Sequence, residues 1–209
     1  MGNSLNKLIR GYRLFSATYA LQYEDILKNL TAGQTPEIMI VGCSDSRVDP
    51  ALMLNCDPGD LFVTRNVANV VPPFADDKMI HGTSAALEFG IRHLKVKHLI
   101  ILGHSQCGGI NARLNPTCVK DSDFLSNWTS LIDVNTQNPD VNECAKQSLL
   151  NSHINCLSFP WIKEQVDALS HENWSLTYIC VVALITEAVR KIVTEYGNAI
   201  AASGYDSNV

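Results

Sequence analysis

The sequence predicts an α/β fold, a central and mostly parallel sheet of about four strands flanked by helices. Three observations carry this. A short, unbroken apolar run at 38–41 has the character of a strand buried on both faces of a parallel sheet, and the runs at 61–64 and 98–102 read as the next strands. Segments with helical apolar spacing separate those runs. Two of the runs end in a glycine followed at once by a potential metal ligand, Gly42-Cys43 and Gly103-His104. Open α/β sheets bind their ligands at that strand edge.

The elements follow in order. Residues 4–30 read as a helical arm, with Leu8, Tyr12, Phe15, Tyr19, Tyr23 and Leu27 along one stripe. Such a stripe needs cover, from the chain's own domain or from a second subunit, and the pattern fits both. Gly33 and Pro36 end the arm. The strand at 38–41 delivers Cys43, and the strand at 61–64 ends at Arg65-Asn66. A helix is expected over 83–94, with Ala85, Ala86, Phe89 and His93 near one face. The strand at 98–102 delivers His104 to the same edge as Cys43. Further helices are expected over 122–132 (capped by Asp121 or Ser122), 142–155, 160–169 and 186–196, and a fourth strand at the start of 174–184. The tail from about 201 to 209 reads as frayed.

Composition narrows the function. With 209 residues, the chain fits a single domain spanning 1–209. Charged residues are 18% and hydrophobic residues 46%, which excludes a disordered chain. A net charge of −5 and the lack of any Lys/Arg block argue against a nucleic-acid partner. The longest apolar stretch, 178–185, is too short to span a bilayer, so no membrane partner is expected. Without an apolar export core at the N-terminus, a cytoplasmic location is the default expectation. Seven cysteines, an odd number with no CxxC pair, read as free or buried thiols rather than a disulfide framework.

Cys43, His104 and Cys107 are the exception among these thiols and imidazoles. Each lies beside a glycine at an expected strand end, and Cys107 follows His104 closely enough to return to the same ion. Two thiolates and an imidazole favour zinc, one Zn²⁺ per chain, although the composition also accommodates iron. Three protein ligands leave a fourth position for water, whose pKa zinc lowers. Asp45 is placed to accept a proton from that water, and Arg47 to hold the carboxylate off the metal.

Four motifs in order resemble the β-class carbonic anhydrases. They are Cys43-Ser44-Asp45-Ser46-Arg47, Pro58-Gly59-Asp60-Leu61-Phe62-Val63, Arg65-Asn66-Val67-Ala68-Asn69 and Gly103-His104-Ser105-Gln106-Cys107-Gly108-Gly109. The likeness is dense over 34–112. It implies Cys43, His104 and Cys107 as zinc ligands, Asp45 and Arg47 as the catalytic dyad, and reversible hydration of CO₂ to bicarbonate and a proton. It also implies a four-stranded parallel sheet with an extra edge strand, a leading arm lying across a partner subunit, and a homodimer or homotetramer.

The resemblance divides between two subtypes. In one, the dyad aspartate closes onto zinc, helped by a tryptophan shortly before the first cysteine; here Ile40, Val41 and Gly42 stand there. The open, plant-like subtype has a glutamine nine residues before that cysteine, and Gln34 occupies that place. Phe62, Val67, Phe89 and Gly108 fall where its small apolar substrate pocket is lined, Phe89 replacing the usual tyrosine. His93 shares a helix face with Phe89 and is a candidate for proton transfer; His81 is a further one. Past about residue 169 the family's histidine-glycine pair and final strand are not recognisable. Two rival readings remain: hydrolysis of carbonyl sulfide or carbon disulfide on the same scaffold, and a noncatalytic zinc module with all four positions filled by protein.

Overall fold

The computed structural model describes residues 4–137, 140–168 and 175–181. Four parallel strands, β1 (Ile38–Cys43), β2 (Leu61–Asn66), β3 (His98–His104) and β4 (Ser175–Val181), form one sheet in the order β2-β1-β3-β4. Each of the first three runs about two residues further than its apolar core suggested. The ladder continues through Gly42↔Arg65 and Cys43↔Asn66, so polar motif residues are themselves sheet members.

The helices α1 (Ser4–Leu14), α2 (Ala20–Gln22) and α3 (Glu24–Leu30) make up the arm, with a wider π turn at Phe15–Tyr19 and a break at Tyr23. After β1 comes α4 (Pro50–Leu54), which sequence reading did not anticipate. Asp49 caps it by accepting from Leu52 N, with Pro50 in the first turn. The helix expected at 83–94 is α5 (Gly82–Glu88) running into a π turn, Phe89–His93. Then follow α6 (Gly108–Leu114), α7 (Leu125–Ser130), α8 (Val141–Cys156) and α9 (Pro160–Ala168). Helix α7 is shorter than the expected 122–132. Ser122 bonds Ser126 N from outside the helix, while Phe124, at the cap position, contributes no side-chain cap. The helix expected at 186–196, the tail at 201–209 and any extra edge strand beyond β4 lie outside the described residues.

Alternation along the strands sorts the core. Met39 and Val41 of β1 and Leu99 and Ile101 of β3 face one side, where Leu87, Ile91, Leu149, Phe159 and Ile162 cover them. Ile40 and Leu102 face the other side and are buried, but Ile38, Leu61 and Ile100 around them are only partly so. β1 is thus buried on both faces, as its apolar run predicts, whereas β2 and β3 keep partly exposed residues on that second side. Met53 of α4 packs against that second group from outside the sheet.

The arm's apolar stripe exists, and its first half lies off the domain: Leu8, Tyr12 and Phe15 are 68%, 71% and 44% exposed. The last residue of the arm, Leu30, docks. A Cβ on Gly59 (φ 99°) would sit 2.8 Å from Leu30 Cδ2, so glycine is required there both for the backbone and for the contact. Among the described residues no helix is long and apolar enough to cross a membrane.

Leu99 is fully buried at the centre of the sheet. Leu99→Ala is expected to lower unfolding free energy by about 3 kcal/mol in urea titrations, through lost burial plus a residual cavity.

Candidate metal centre

The strand order places the chain's reversal between β1 and β3. The connection from β1 leads to one side of the sheet and the return to β3 lies on the other, which opens a crevice at their C-terminal ends. Cys43 ends β1 and His104 ends β3. The turn after β3 brings Cys107 back, and the ligand atoms of Cys43, His104 and Cys107 all lie within 4.8 Å of one another. All three residues are buried.

Their hydrogen bonding fits a soft cation. Nδ1 of His104 lies 2.8 Å from the Ser105 carbonyl oxygen, which fixes that nitrogen as the donor and leaves Nε2 with its lone pair. Nε2 is buried and has no hydrogen-bond partner. A buried nitrogen is seldom left unpaired, and here it points into the same cluster as two sulfurs 3.9 Å apart. Two thiols and one free imidazole nitrogen form the ligand set of a zinc site with one position to spare. The protons report the same arrangement. Hydrogen bonding from Cys107 holds the Cys43 thiol well below the usual thiol range, and the same contact pushes Cys107 up. Burial disfavours a charged His104, but the Cys43 sulfur outweighs it and raises its pKa. A divalent cation displaces protons shared in this way.

Asp45 and Arg47 lie just beyond β1, forming the paired geometry expected of them. Arg47 Nε and Nη2 donate to Asp45 Oδ1 and Oδ2 at 2.9 and 2.7 Å, and Arg47 N donates to Oδ1 at 3.0 Å. Asp45 Oδ2 is 3.9 Å from His104 Nε2, so the carboxylate borders the ligand cluster. Hydrogen bonds from Arg47 hold the Asp45 carboxyl far below the usual carboxylate range. Its folded pKa being depressed, the stabilisation from this pairing is present at neutral pH and lost only as pH falls through that low value.

Sequence reading treated Arg65 simply as part of a motif, yet it anchors this loop. Its guanidinium donates to the carbonyls of Cys43 (2.8 Å) and Asp45 (2.7 Å) and to Asp49 Oδ2 (3.0 Å). Three planar donors reaching two carbonyls and a carboxylate need arginine and not lysine. Asn66 accepts from Val70 N and donates to Val70 O, bending the chain through Ala68 and Asn69, both at positive φ. That bend lies against the start of α6. A Cβ on Gly109 would sit 2.7 Å from Val67 Cγ1 and 2.8 Å from Ala68 Cβ, whereas one on Gly108 would meet nothing within 4 Å. The repeated glycines after Cys107 therefore differ: the second permits close packing and the first leaves open space.

Among the remaining sequence candidates, Phe62 and Phe89 pack with ring centroids 5.7 Å apart, and His93 stacks on Phe89 at 5.6 Å. Phe89 and Val67 keep much of their surface exposed, as does Gln34 in the loop before β1. His81 bonds Asp77 at 2.8 Å on a separate loop and is not part of the metal cluster.

The comparisons with known proteins agree with this geometry. The sequence model for carbonic anhydrases matches residues 38–179. Beta carbonic anhydrase 5, chloroplastic, of Arabidopsis thaliana is 36% identical over 167 residues, covering 73% of this chain; the chain spans 55% of that relative's length. Among solved structures, the β-carbonic anhydrase CcaA superposes with a TM-score of 0.77 at 27% identity, covering 87% of this chain and 84% of the other. A tetrameric β-carbonic anhydrase from Sordaria macrospora does so with 0.68 at 27%, covering 86% and 91%. A parallel sheet with a Cys-His-Cys cluster at its crevice defines a class of zinc proteins. Within that class, this chain belongs to the β-carbonic anhydrase family.

Gly109→Ala is expected to lower the melting temperature and weaken zinc retention, because backbone as well as side chains must yield, at a cost of about 1–3 kcal/mol. Gly108→Ala should leave the melting temperature unchanged. Differential scanning calorimetry with metal analysis of both variants checks the contrast.

Proposed function

We propose that the protein catalyses the reversible hydration of carbon dioxide, CO₂ + H₂O ⇌ HCO₃⁻ + H⁺, at one zinc per chain held by Cys43, His104 and Cys107. The observation that carries this reading is the Asp45 carboxylate, which borders a three-ligand cluster while both its oxygens are engaged by Arg47. Zinc held by Cys43, His104 and Cys107 would supply a nucleophile at physiological pH by lowering the pKa of water toward neutrality. Asp45, an acceptor with no proton of its own, would accept a hydrogen bond at the fourth metal position and so orient a nucleophile toward the substrate carbon. Arg47 keeps that carboxylate charged, oriented and away from the metal position. Phe62, Phe89 and Val67 supply an apolar wall suited to a small uncharged substrate, Gly108 leaves room beside it, and Gln34 contributes an amide. His93, exposed and stacked on Phe89, carries the product proton toward buffer.

The same reading assigns the open, plant-like subtype. Three hydrogen bonds from Arg47 to Asp45, Gln34 nine residues before Cys43 and the lack of a tryptophan in the sequence just before that cysteine support it. The protein assembles as a homodimer or homotetramer, with the uncovered stripe of the arm (Leu8, Tyr12, Phe15) against a second copy. The Sordaria macrospora relative is described as tetrameric. A cytoplasmic setting suits the free thiols of Cys43, Cys56, Cys107, Cys118, Cys144 and Cys156.

Stopped-flow CO₂ hydration tests the activity, and turnover of carbonyl sulfide in preference to CO₂ would overturn it. Asp45→Asn and Arg47→Ala should keep close to one zinc per chain while losing about a hundredfold or more in kcat/KM. Unchanged turnover in either variant would remove the dyad from the mechanism. Cys43→Ser should instead lose the metal, read by zinc analysis after dialysis. X-ray absorption of the zinc protein at pH 7 tests the subtype: a carboxylate oxygen of Asp45 bonded to the metal would reject the open form. For the assembly, Leu8→Glu with Tyr12→Glu should shift the sedimentation coefficient toward that of a smaller species.

A further inference from the structure

Resting on the zinc-site reading above, we propose that Asn142, at the start of α8, is the positioning residue for the second metal loop. It acts through Gln106 on both Cys107 and the Asp45–Arg47 pair. The loop from His104 to Cys107 turns through Gln106 with φ 52°, a left-handed backbone that residues bearing a Cβ adopt at a cost. Something must hold it there, and the hydrogen bonds identify Asn142. Its Oδ1 accepts from Gln106 N at 2.9 Å and from Gln106 Nε2 at 3.2 Å, so backbone and side chain of one residue are gripped by a single oxygen.

With its amide so held, Gln106 aims its carbonyl at the other loop. That oxygen accepts from Arg47 Nη2 at 3.0 Å, and the same nitrogen donates to Asp45 Oδ2 at 2.7 Å. A continuous path runs from Asn142 through Gln106 and Arg47 to the carboxylate beside the cluster. Gln106 also immediately precedes Cys107, so its backbone sets the direction from which that sulfur arrives.

The grip is well anchored. Asp140 caps α8 by accepting from Asn142 N and Glu143 N, which fixes the first turn. Further along the helix, Leu149 is buried and lies where a Cβ on Gly103 would meet it at 3.3 Å. Helix α8 therefore touches the metal strand before His104 and the metal loop after it, and Asn142 transmits that rigid placement to the site. Both of its bonds use Oδ1 as acceptor. An aspartate can replace it in that role and a leucine cannot.

The test compares Asn142→Leu with Asn142→Asp in the zinc-loaded protein. Zinc release to an excess of chelator and the kcat and KM of CO₂ hydration are measured, with melting temperature as the folding control. Asn142→Leu should release zinc about tenfold faster and lose about tenfold in kcat with little change in KM, the usual scale for partners that orient metal ligands. Asn142→Asp should restore most of both. If Asn142→Leu does not fold, Asn142→Ala removes the same acceptor at a half-buried helix start. Native zinc release and kcat in the leucine or alanine variant overturn the proposal. So does an aspartate variant as impaired as they are, since the acceptor would then not be what matters. A native protein that holds no zinc would instead overturn the metal assignment itself, which separates the two failures.

Discussion

Everything in the site depends on β1 and β3 lying side by side and parallel. Their ladder runs from Ile38↔His98 to Gly42↔Leu102, so both strands end at the same edge and hand Cys43 and His104 to one crevice. A slip of one residue would turn the side chains of either strand to the opposite face and separate the thiol from the imidazole. The buried quartet Met39, Val41, Leu99 and Ile101 specifies that register by facing one packed core. The hydrophobic effect, acting some residues away from the chemistry, thereby sets the distance between metal ligands.

Beyond the strand ends, the fixing is polar. Arg65 ties the carbonyls of the first loop, Asn66 bends the chain that supports α6, and Arg47 joins the first loop to the second through the Gln106 carbonyl. Each of these replaces a secondary-structure ladder where the backbone leaves one. Buried or half-buried carbonyls need partners, and arginine forks supply several at once. A site assembled from loops gains in this way the rigidity that its chemistry needs.

The arm belongs to a different regime. Its aromatic residues pack on one another along the helix, Phe15 on Tyr19 at 5.0 Å and Tyr19 on Tyr23 at 4.3 Å, while Leu8 and Tyr12 of the first turns are largely exposed. Local side-chain pairs keep such a segment helical, but helices of this length draw most of their stability from a packed face. The partly covered second face of the sheet, around Ile38, Leu61 and Ile100, raises the same question of cover.

What the sequence by itself determined was the set of strands and the chemistry at their ends. Apolar runs of four or five residues give strands whatever surrounds them, and Cys43, His104 and Cys107 beside glycines signal a metal because those residue types at strand ends have few other uses. The pairing of Asp45 with Arg47 was legible for the same reason, being local and two residues apart. Only the tertiary structure decided which distant groups hold those residues. Arg65 reaching Cys43 O, and Asn142 reaching Gln106, join positions 22 and 36 residues apart, and no periodicity encodes such a contact. The short helix α4 was likewise hidden, its cap and proline visible but its apolar residues too few for a period. Burial of β1 on both faces was legible, but the partial exposure of Leu61 and Ile100 was not, because continuous apolar runs report that a strand is apolar on both sides, not what lies against each side. Cover is a property of the folded assembly of elements, and only the structure shows where it falls short.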